Sequence, residues 1–444
     1  MNYLKTGLAV CLCAFATFAN AQNITIPDAN FKAALLSHNP VIDTNSDGEI
    51  SQAEAAAVAN LNVNNKSISS LQGIEFFTNL SDLQCQFNQL SILNLSNNIN
   101  LQILDCGYNQ LSTLDFSNNV NLQSLICRNN QLTSLNVSNN INLTTRIWCE
   151  FNQLSTLDVS NNINLKYLSC GNNQFPTLDI SNNTNLEILD CSYNPFTTTL
   201  DLSNNANLLT LGCRGSQLTT LDVSNNINLQ NLSCSDNQLT TLDVSNNTNL
   251  KWLDFQNNQI EMLDVSNNVN LQQLWCRNNQ LSTLDVSNNA DLQMLQCGIN
   301  QLASLFIKNE VNKNFIITTT SINIGYNFTG NPNLTFICVD ENQVQDVQDY
   351  ITENNIGNNP EVSSDCTIMA TQEISKDKVS VYPNPVKNVL YIQSSKFNIQ
   401  GSRIYDISGK LVKTFRGNST DVSALQKGVY VLEIGGQTMK FIKE

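Results

Sequence analysis

Oxygen-bearing side chains alternate in the stretch DTNSDGEISQAE, which runs from Asp43 to Glu54. Carboxylate and amide oxygens at the first, third, fifth and twelfth places, with glycine at the sixth, form the ligand pattern that calcium prefers in a helix–loop–helix site. Helical patterns flank the stretch on both sides. The sequence therefore predicts a structural calcium site, while an acidic turn that caps the second helix is the alternative. The predicted ligands are Asp43, Asn45, Asp47, Glu49 (through its backbone carbonyl), Ser51 and Glu54.

Cysteine is the other residue type that could carry chemistry. Ten of the fourteen cysteines recur between Cys85 and Cys297 with a period of 21 or 22 residues that is interrupted once. Thiolates at such positions could be nucleophiles, zinc ligands or disulfide partners. A nucleophilic thiol needs a neighbouring base. Because the single histidine, His38, precedes the whole series, catalysis by these thiols is disfavoured.

The cysteines belong to an internal repeat that spans residues 80–312. Eleven units of 21 or 22 residues share the pattern L-x-x-L-x-C-x-x-N-Q-L-[ST]-x-L-D-V-S-N-N-x-N. Both halves of the unit fit the leucine-rich-repeat template L-x-x-L-x-L-x-x-N-x-L. Since the two halves follow each other closely, a helix of several turns does not fit between them. We expect a flattened β-rich solenoid of 21–22-residue coils, with two short strands per coil and parallel strands on both sides.

The position of the cysteines within the unit identifies them as core residues. Successive residues of a strand point to opposite faces, so Leu274 and Cys276 face inward while Trp275 faces solvent. Stacked coils hold equivalent atoms about 4.8 Å apart, whereas a disulfide needs Cβ atoms roughly 3.8 Å apart, and a linear column does not match tetrahedral zinc. Asparagines at the ninth position, such as Asn109, should turn inward and satisfy backbone groups. The predicted column of reduced, buried thiols is Cys85, Cys106, Cys127, Cys149, Cys170, Cys191, Cys213, Cys234, Cys276 and Cys297, with Phe255 in the interrupted slot.

Two further cysteines follow the repeats. In NLTFICVDENQ the repeat phase places Ile337 and Val339 inward and thereby turns Cys338 outward. Cys366 comes after residues 344–353, which have the pattern of a short helix. We predict a disulfide between Cys338 and Cys366 that closes the C-terminal end of the stack, because a last coil must be covered.

Changes in composition and motif along the sequence predict how the chain divides into segments. The first 21 residues combine a lysine, an apolar run and the small-residue pattern Ala-Asn-Ala, as in a secretory signal peptide, and no other stretch approaches the ~20 apolar residues of a membrane helix. The formal net charge of -15 disfavours nucleic acid and anionic membranes as partners. The predicted segments are a signal peptide (1–21), a helical N-terminal cap (22–60), the solenoid (61–312), a C-terminal cap (313–366), a linker (367–378) and a small all-β sandwich (379–444).

The two sides of the repeat differ in how much they vary from unit to unit. The LDVSNN side is nearly constant, and its outward column is acidic: Asp115, Asn136, Asp158, Asp179, Asp201, Asp222, Asp243, Asp264 and Asp285. Carboxylates at this spacing repel one another, so hydrogen bonds from serine and threonine, or alternatively bound cations, should compensate. The cysteine side is varied and rich in exposed aromatic residues and arginine, the types enriched at binding hot spots. It provides our candidate binding face: Phe87, Tyr108, Trp148, Phe151, Tyr167, Tyr193, Trp252, Trp275 and Arg277.

Two resemblances follow from these motifs. With LDVSNN and C-x-x-N-Q-L, the repeats resemble internalin-type leucine-rich repeats of the internalin J-like class, in which a cysteine column replaces a leucine column. That class implies adhesion through a solenoid face, no enzymatic activity and an EF-hand-derived N-terminal cap. The C-terminal motifs VYPNPVKNVLYI, IYDISGKLV and GVYVLEI resemble a type IX secretion system type A sorting domain. This likeness implies interaction with that secretion machinery and a secreted or outer-surface location.

The combined features favour a non-enzymatic extracellular binding protein that recognises a protein or a glycan. A structural surface-layer component that self-associates is the second hypothesis. A secreted hydrolase is the third, and it is disfavoured because the sequence offers no catalytic motif and one histidine.

Overall fold

The computed structural model describes residues 22–309, 325–356, 359–366, 380–382, 385–393, 402–406, 410–417, 419–434 and 437–443. The chain forms two compact units, residues 1–361 and 362–444. The predicted signal peptide and the predicted linker lie outside the described residues.

The N-terminal cap contains the two helices that the sequence predicts, α1 (Ala29–Leu36) and α2 (Gln52–Ala57). Asp28 caps α1, because one carboxylate oxygen accepts hydrogen bonds from the amides of Asn30 and Phe31, both at 2.9 Å. The other oxygen accepts from the amide and the hydroxyl of Ser69 in the first coil. One side chain therefore both begins the helix and attaches the cap to the solenoid. A 3₁₀ turn, Ile74–Phe76, follows.

The cysteine side of the repeat forms a parallel sheet of thirteen strands within the described residues. Each strand pairs with its neighbour so that equivalent leucines lie opposite each other, as Leu253 does with Leu274. The strands, numbered along the whole chain, are β1 (Asn60–Asn62), β2 (Asp82–Gln84), β3 (Ile103–Asp105), β4 (Ser124–Ile126), β5 (Arg146–Trp148), β6 (Tyr167–Ser169), β7 (Ile188–Asp190), β8 (Thr210–Gly212), β9 (Asn231–Ser233), β10 (Trp252–Asp254), β11 (Gln273–Trp275), β13 (Met294–Gln296) and β15 (Tyr326–Asn327).

The opposite side of the solenoid is less regular than the prediction of two strands per coil suggests. Strand pairing there is confined, in the described part, to a sheet in the order β12–β14–β16–β17 and a single bridge between Asn94 and Asp115. Composition contributes to this difference, because the Asp, Ser and Asn of LDVSNN are poor strand formers, and the one consensus segment that forms a strand of this sheet pairs with the more strand-prone SLF of the next coil. These four strands are β12 (Thr283–Asp285), β14 (Ser304–Phe306), β16 (Phe336–Cys338) and β17 (Glu361–Ser363).

The coils continue beyond residue 312, where the sequence analysis ended the solenoid. Strand β15 pairs with β13, Phe328 occupies the buried slot that cysteine fills elsewhere, and Asn331 repeats the ninth-position hydrogen bonds. The 3₁₀ turn Glu341–Gln343 and α3 (Val344–Glu353) follow, and α3 has the predicted bounds. Cys338 has the predicted outward phase, because it pairs with Phe306 and, through it, with Asp285 of the outward column, but it is completely buried because every residue of β16 is covered in this end region. Cys338 and Cys366 are both disulfide-bonded.

Two columns of asparagine hold the coils together. At the ninth position, Asn109 accepts a hydrogen bond from the Leu90 amide at 3.0 Å and donates to the carbonyls of Cys85 and Cys106 at 3.1 and 3.0 Å. The predicted inward orientation is therefore confirmed. A second column on the opposite side joins successive LDVSNN turns, as when the Asn119 amide group donates to the Asn98 carbonyl at 2.7 Å. Both columns place hydrogen bonds where backbone groups would otherwise be buried without partners.

The C-terminal unit is the predicted all-β sandwich. One antiparallel sheet has the order β18–β19–β22 and the other β21–β20–β23–β24. Leu390 of the first sheet shares a core with Ile404 and Leu432 of the second. The strands are β18 (Ser380–Tyr382), β19 (Val389–Gln393), β20 (Ser402–Asp406), β21 (Leu411–Phe415), β22 (Ser419–Asp421), β23 (Gly428–Ile434) and β24 (Gln437–Lys443).

Candidate functional site

The predicted calcium loop is folded by its own side chains. The Asp43 carboxylate accepts hydrogen bonds from the amides of Asp47 and Gly48, at 3.2 and 3.0 Å. Asn45 and Asp47 each accept from the amide two residues further on. Gly48 has φ of 81°, which favours glycine at the sharp turn. These bonds hold the side chains of three predicted ligands in a curved loop.

The Glu54 carboxylate is engaged with the protein. It accepts hydrogen bonds from the amide and hydroxyl of Ser51 and from the amide and hydroxyl of Thr44. Burial alone would raise the pKa of Glu54, but these bonds outweigh it and lower the pKa to about 2. Together with the return bond from its amide to Ser51 they form a capping box on α2. In the part of the chain that the structure describes, no group of three or more His, Cys, Asp or Glu side chains is arranged to hold a metal ion.

The cysteine column lies in the core, and its thiols are unreactive. All ten thiols are buried and unpaired. Burial raises the pKa of every one of them, and those of Cys213 and Cys297 to about 12. Because the thiolate is the nucleophilic and metal-binding form, these thiols stay protonated at neutral pH. The predicted role as reduced core residues is confirmed.

The acidic column on the LDVSNN side forms local turns. Each carboxylate or amide oxygen of this column accepts a hydrogen bond from the serine amide two residues later, as Asp158 does from Ser160 at 2.9 Å. Asn136 makes the same bond to Ser138 at 3.0 Å. Hydrogen bonds from Ser160 lower the pKa of Asp158, so the carboxylate is charged at neutral pH. Of the two compensations considered from the sequence, the structure shows the hydrogen bonding to serine.

Charge is segregated between the two sides of the solenoid. Residues 80–307 contain six Lys or Arg, and all of them lie on a strand of the thirteen-stranded sheet or within two residues of one: Arg128, Arg146, Lys166, Arg214, Lys251 and Arg277. Three are bound to an acid of the next coil, in the pairs Arg128–Glu150 (3.4 Å), Lys166–Glu187 (2.8 Å) and Arg214–Asp236 (2.6 Å). We call the outward side of this sheet, with the residues that directly follow its strands, the sheet face. Half of these six cations are thus paired within the sheet face, and none of the six lies on the side of the Asp column.

The candidate aromatic residues all lie on the sheet face, but in two groups. Trp148, Tyr167, Trp252 and Trp275 stand on strands β5, β6, β10 and β11 and are half-buried. Phe87, Tyr108, Phe151 and Tyr193 stand in the bend after a strand and are exposed; we call these four the aromatic column. Arg277 follows β11 and is half-buried.

Ring contacts organise each group. Phe87 and Tyr108 are stacked with centroids 4.3 Å apart, and Trp252 and Trp275 meet edge to face at 6.1 Å. The Arg128 guanidinium lies 5.4 Å from the ring centroids of both Tyr108 and Trp148. Such contacts hold aromatic side chains in place before any partner arrives, which lowers the entropy cost of binding.

The backbone conformation of the aromatic column is a feature that the sequence analysis missed. The eighth residue of every coil from Phe87 to Ile299 has a left-handed backbone, with φ between 52° and 61°. Asn, Asp and Gly tolerate this region, but a bulky residue there costs roughly 1 kcal/mol. The signal was present, because Asn129, Asn172 and Gly215 occupy the same position.

Comparison with known proteins agrees with this architecture. Residues 380–444 match the family model of the secretion system C-terminal sorting domain. Among solved structures, a leucine-rich-repeat protein of Leptospira interrogans is similar at 23% identity and a TM-score of 0.53, with 65% of this chain and 80% of that one covered. The functional domain of InlJ from Listeria monocytogenes, which includes a cysteine ladder, is similar at 24% identity and a TM-score of 0.48, with 95% and 98% covered. An internalin (inlF) from Listeria monocytogenes is similar at 24% identity and a TM-score of 0.49, with 64% and 89% covered. No curated protein matches the chain.

These findings define the class of the molecule. The first unit is a leucine-rich-repeat solenoid, and residues 380–444 are a type IX secretion sorting domain. The chain is therefore an exported leucine-rich-repeat protein. Where the structure describes the chain, it contains no helix with the length and apolar character needed to cross a membrane.

Proposed function

We propose that this protein is a non-enzymatic binding protein of the extracellular or cell-surface space, which recognises a protein or glycan through the sheet face. The observation that carries the proposal is the concentration of aromatic side chains on that face, beside cations that are already paired within it. Aromatic residues whose charged neighbours are already paired bind a partner through desolvation and shape complementarity. The protonated thiol column supports a non-enzymatic role, because it supplies no nucleophile.

The half-buried pair Trp252 and Trp275 provides the test. Trp275 donates through its ring nitrogen to the Met294 sulfur at 3.0 Å, and neither indole lies in the core, so replacing both by alanine should leave the fold intact. The double variant should lose binding in a glycan array and in pull-downs against extracellular proteins. Met262→Ala is the matched control, because Met262 is a largely exposed apolar residue away from the sheet face. Unchanged binding by the tryptophan variant would remove this face as the site.

A second candidate function, self-association as a surface-layer component, is favoured by one observation. Four consecutive coils expose a branched aliphatic residue in the turn after LDVSNN or its equivalent: Ile99, Val120, Ile141 and Ile163. Exposed apolar columns of this kind can pack against a second copy. Size-exclusion chromatography separates the two functions, because a binding protein should elute as a monomer at all concentrations. Concentration-dependent assembly that is lost on replacing Ile141 and Ile163 by serine would favour the surface-layer function.

We also propose that the loop 43–54 binds calcium as a structural ion. The orientation of the Asp43, Asn45 and Asp47 oxygens supports the proposal, and binding requires Glu54 to exchange bonds with Ser51 and Thr44 for the ion. Calcium at a hundredfold excess over its dissociation constant should stabilise the fold by about 2.7 kcal/mol, read as a rise in melting temperature that a chelator reverses. Glu54→Gln should abolish the rise. Glu49→Gln is the control, because Glu49 would contribute only its backbone carbonyl; an equal loss in both variants would argue against the site.

A further inference from the structure

The aromatic column occupies a conformation that its side chains do not favour. Phe87, Tyr108, Phe151 and Tyr193 have φ of 57°, 53°, 56° and 56°. Asn129 and Asn172, in the coils between them, show that asparagine serves the fold equally well at this position. Since the rings are exposed, they contribute little to the core. A strained residue that neither the fold nor the core needs is explained by a contact outside the molecule.

The rings recur along the sheet at a defined interval. Between Tyr108 and Tyr193 an aromatic residue occupies every second coil, at Tyr108, Phe151 and Tyr193, with asparagine between. Neighbouring coils are about 4.8 Å apart, so the rings are about 9.6 Å apart. A polyproline II helix rises roughly 3.1 Å per residue with three residues per turn and therefore repeats about every 9.3 Å. One face of such a helix would place a residue at each gap between rings.

Hydrogen-bond donors accompany the rings. Glutamine follows the eighth residue two positions later in ten of the eleven coils, with Pro195 in its place after Tyr193, and the side chains of Gln110, Gln131 and Gln153 are exposed next to the aromatic column. A polyproline II segment has no internal hydrogen bonds, so all its carbonyls are available to such amide donors. In an extended, glycine-free β-strand, the side chains on one face are instead about 6.6 Å apart. This spacing does not match the interval between the aromatic rings.

Charge also discriminates between partners. The guanidinium of Arg214 lies 5.7 Å from the Tyr193 ring centroid and is bound to Asp236, and Arg128, over the Tyr108 ring, is paired with Glu150. The cations beside the rings are thus already neutralised, and an anionic ligand would have to displace the acids. An uncharged segment rich in side-chain rings would not have to displace these acids.

We propose that the aromatic column binds a proline-rich polypeptide segment in the polyproline II conformation. This inference rests on the proposed binding function and specifies the partner class for the same face. Proline rings pack on Tyr108, Phe151 and Tyr193, and the glutamine amides bind the exposed carbonyls of the segment.

Fluorescence anisotropy with labelled decaproline tests the proposal on the whole mature chain, with a glycine–serine peptide of the same length as the negative probe. The wild type should bind decaproline and not the glycine–serine peptide. The triple variant Y108N/F151N/Y193N should bind at least about tenfold more weakly, since aromatic anchors dominate such interfaces. Its melting temperature should equal or exceed that of the wild type, because asparagine suits the left-handed backbone.

Ile299→Asn is the matched control. Ile299 has φ of 52° and is exposed at the far end of the sheet, so the variant relieves the same strain outside the aromatic column and should keep full decaproline affinity. Equal affinity in the triple variant, or no binding of decaproline to the wild type, would overturn the proposal. If the wild type instead binds a glycan or protein through Trp252 and Trp275 but not decaproline, the proposed function stands and this inference fails. If the triple variant does not fold, the single variant F151N provides the test, and it should bind decaproline about threefold more weakly than the wild type.

Discussion

Replacing Asn109 with alanine should destabilise the solenoid by about 4 to 6 kcal/mol. Asn109 accepts from the Leu90 amide at 3.0 Å and donates to the carbonyls of Cys85 and Cys106 at 3.1 and 3.0 Å. Each buried bond of this kind contributes about 1 kcal/mol, and a buried group left without a partner costs about 1 to 3 kcal/mol more. Alanine removes these three bonds and a longer fourth one to the Gly107 carbonyl at 3.2 Å, and it leaves the Leu90 amide unpaired in the core between two coils.

Urea unfolding of the mature chain, followed by tryptophan fluorescence, measures this loss, since Trp148, Trp252 and Trp275 all report on the solenoid. Asn118→Ala is the control, because Asn118 makes the same type of bond to the Ser96 carbonyl at 3.3 Å on the exposed side and should cost less than about 1 kcal/mol. Hydrogen exchange should show lost protection at the Leu90 amide alone among its neighbours. A change within about 1 kcal/mol for Asn109→Ala would refute the assigned role.

The chain itself contains a related natural experiment. Ser216 stands at the ninth position of the coil that begins at Leu208, and its hydroxyl donates to the Cys191 carbonyl of the preceding coil at 3.4 Å but does not accept from the amide of Phe196. That preceding unit has 22 residues, and its Phe196 amide bonds instead to the Asn194 carbonyl at 2.9 Å. The Phe196 amide therefore finds its acceptor within its own coil. Asn109→Ser lies among 21-residue units and lacks this compensation. Its free energy of unfolding should therefore lie between those of Asn109→Ala and the wild type.

Further predictions concern the cap, the thiols and the histidine. Asp28→Ala should lower stability by about 1 to 2 kcal/mol through loss of the α1 cap. Burial opposes ionisation of Asp28, but hydrogen bonds from Ser69, Phe31 and Ser70 lower its pKa, so the stabilisation is present above the pKa of an ordinary Asp and is lost as pH falls through the lower pKa of the folded state. The melting temperatures of the wild type and the variant, measured as the pH is lowered, check this prediction. Native protein should not react with a thiol reagent, whereas unfolded, unreduced mature protein should show ten free thiols; rapid reaction of the native form would contradict the buried column. His38 accepts from the Asn62 amide at Nε2 and contacts the Pro40 carbonyl through Nδ1, so nitrogen NMR should find the neutral tautomer protonated at Nδ1, and the other tautomer would disprove the two bonds.

Periodicity carried most of the prediction of the fold. A cysteine at the sixth position is inward because the strand period is two, and an asparagine at the ninth turns inward in the bend that follows the left-handed eighth residue; Phe255 and Ser216 replace them in one coil each. The helices at 29–36, 52–57 and 344–353 were predictable for a similar local reason. Position within a repeat therefore indicated which residues are core and which are surface.

What sequence reasoning missed depends on non-local context. The outward phase of Cys338 was inferred for an open strand, but β16 lies at an end where both of its faces are covered. The coil around Phe328 was missed because phenylalanine and tyrosine replace the consensus leucine and cysteine there. The left-handed backbone at Phe87 and Tyr108 was obscured for a different reason: the residues that announce it, Asn and Gly, appear only in neighbouring coils.

The Asp column gives the strongest reason to expect that the two sides of the solenoid have different roles. Hydrogen bonds from Ser181 lower the pKa of Asp179, while the adjacent Asp158 and Asp201 act against ionisation. These carboxylates are therefore charged and repel one another along the stack. Asn136 holds the same turn without charge, so the triple variant D158N/D179N/D201N should keep the fold.

The variant should melt at an equal or higher temperature than the wild type at low ionic strength, because the repulsion is removed. The wild-type melting temperature should rise further with added salt than that of the variant, since the screening length is about 10 Å at 0.1 M. The matched control replaces Asp115, next to Asn136 in the column, where fewer like charges adjoin. A variant that melts lower at low salt would show that the carboxylates bind cations or stabilise the turn by charge, and the acidic side would then be a site in its own right.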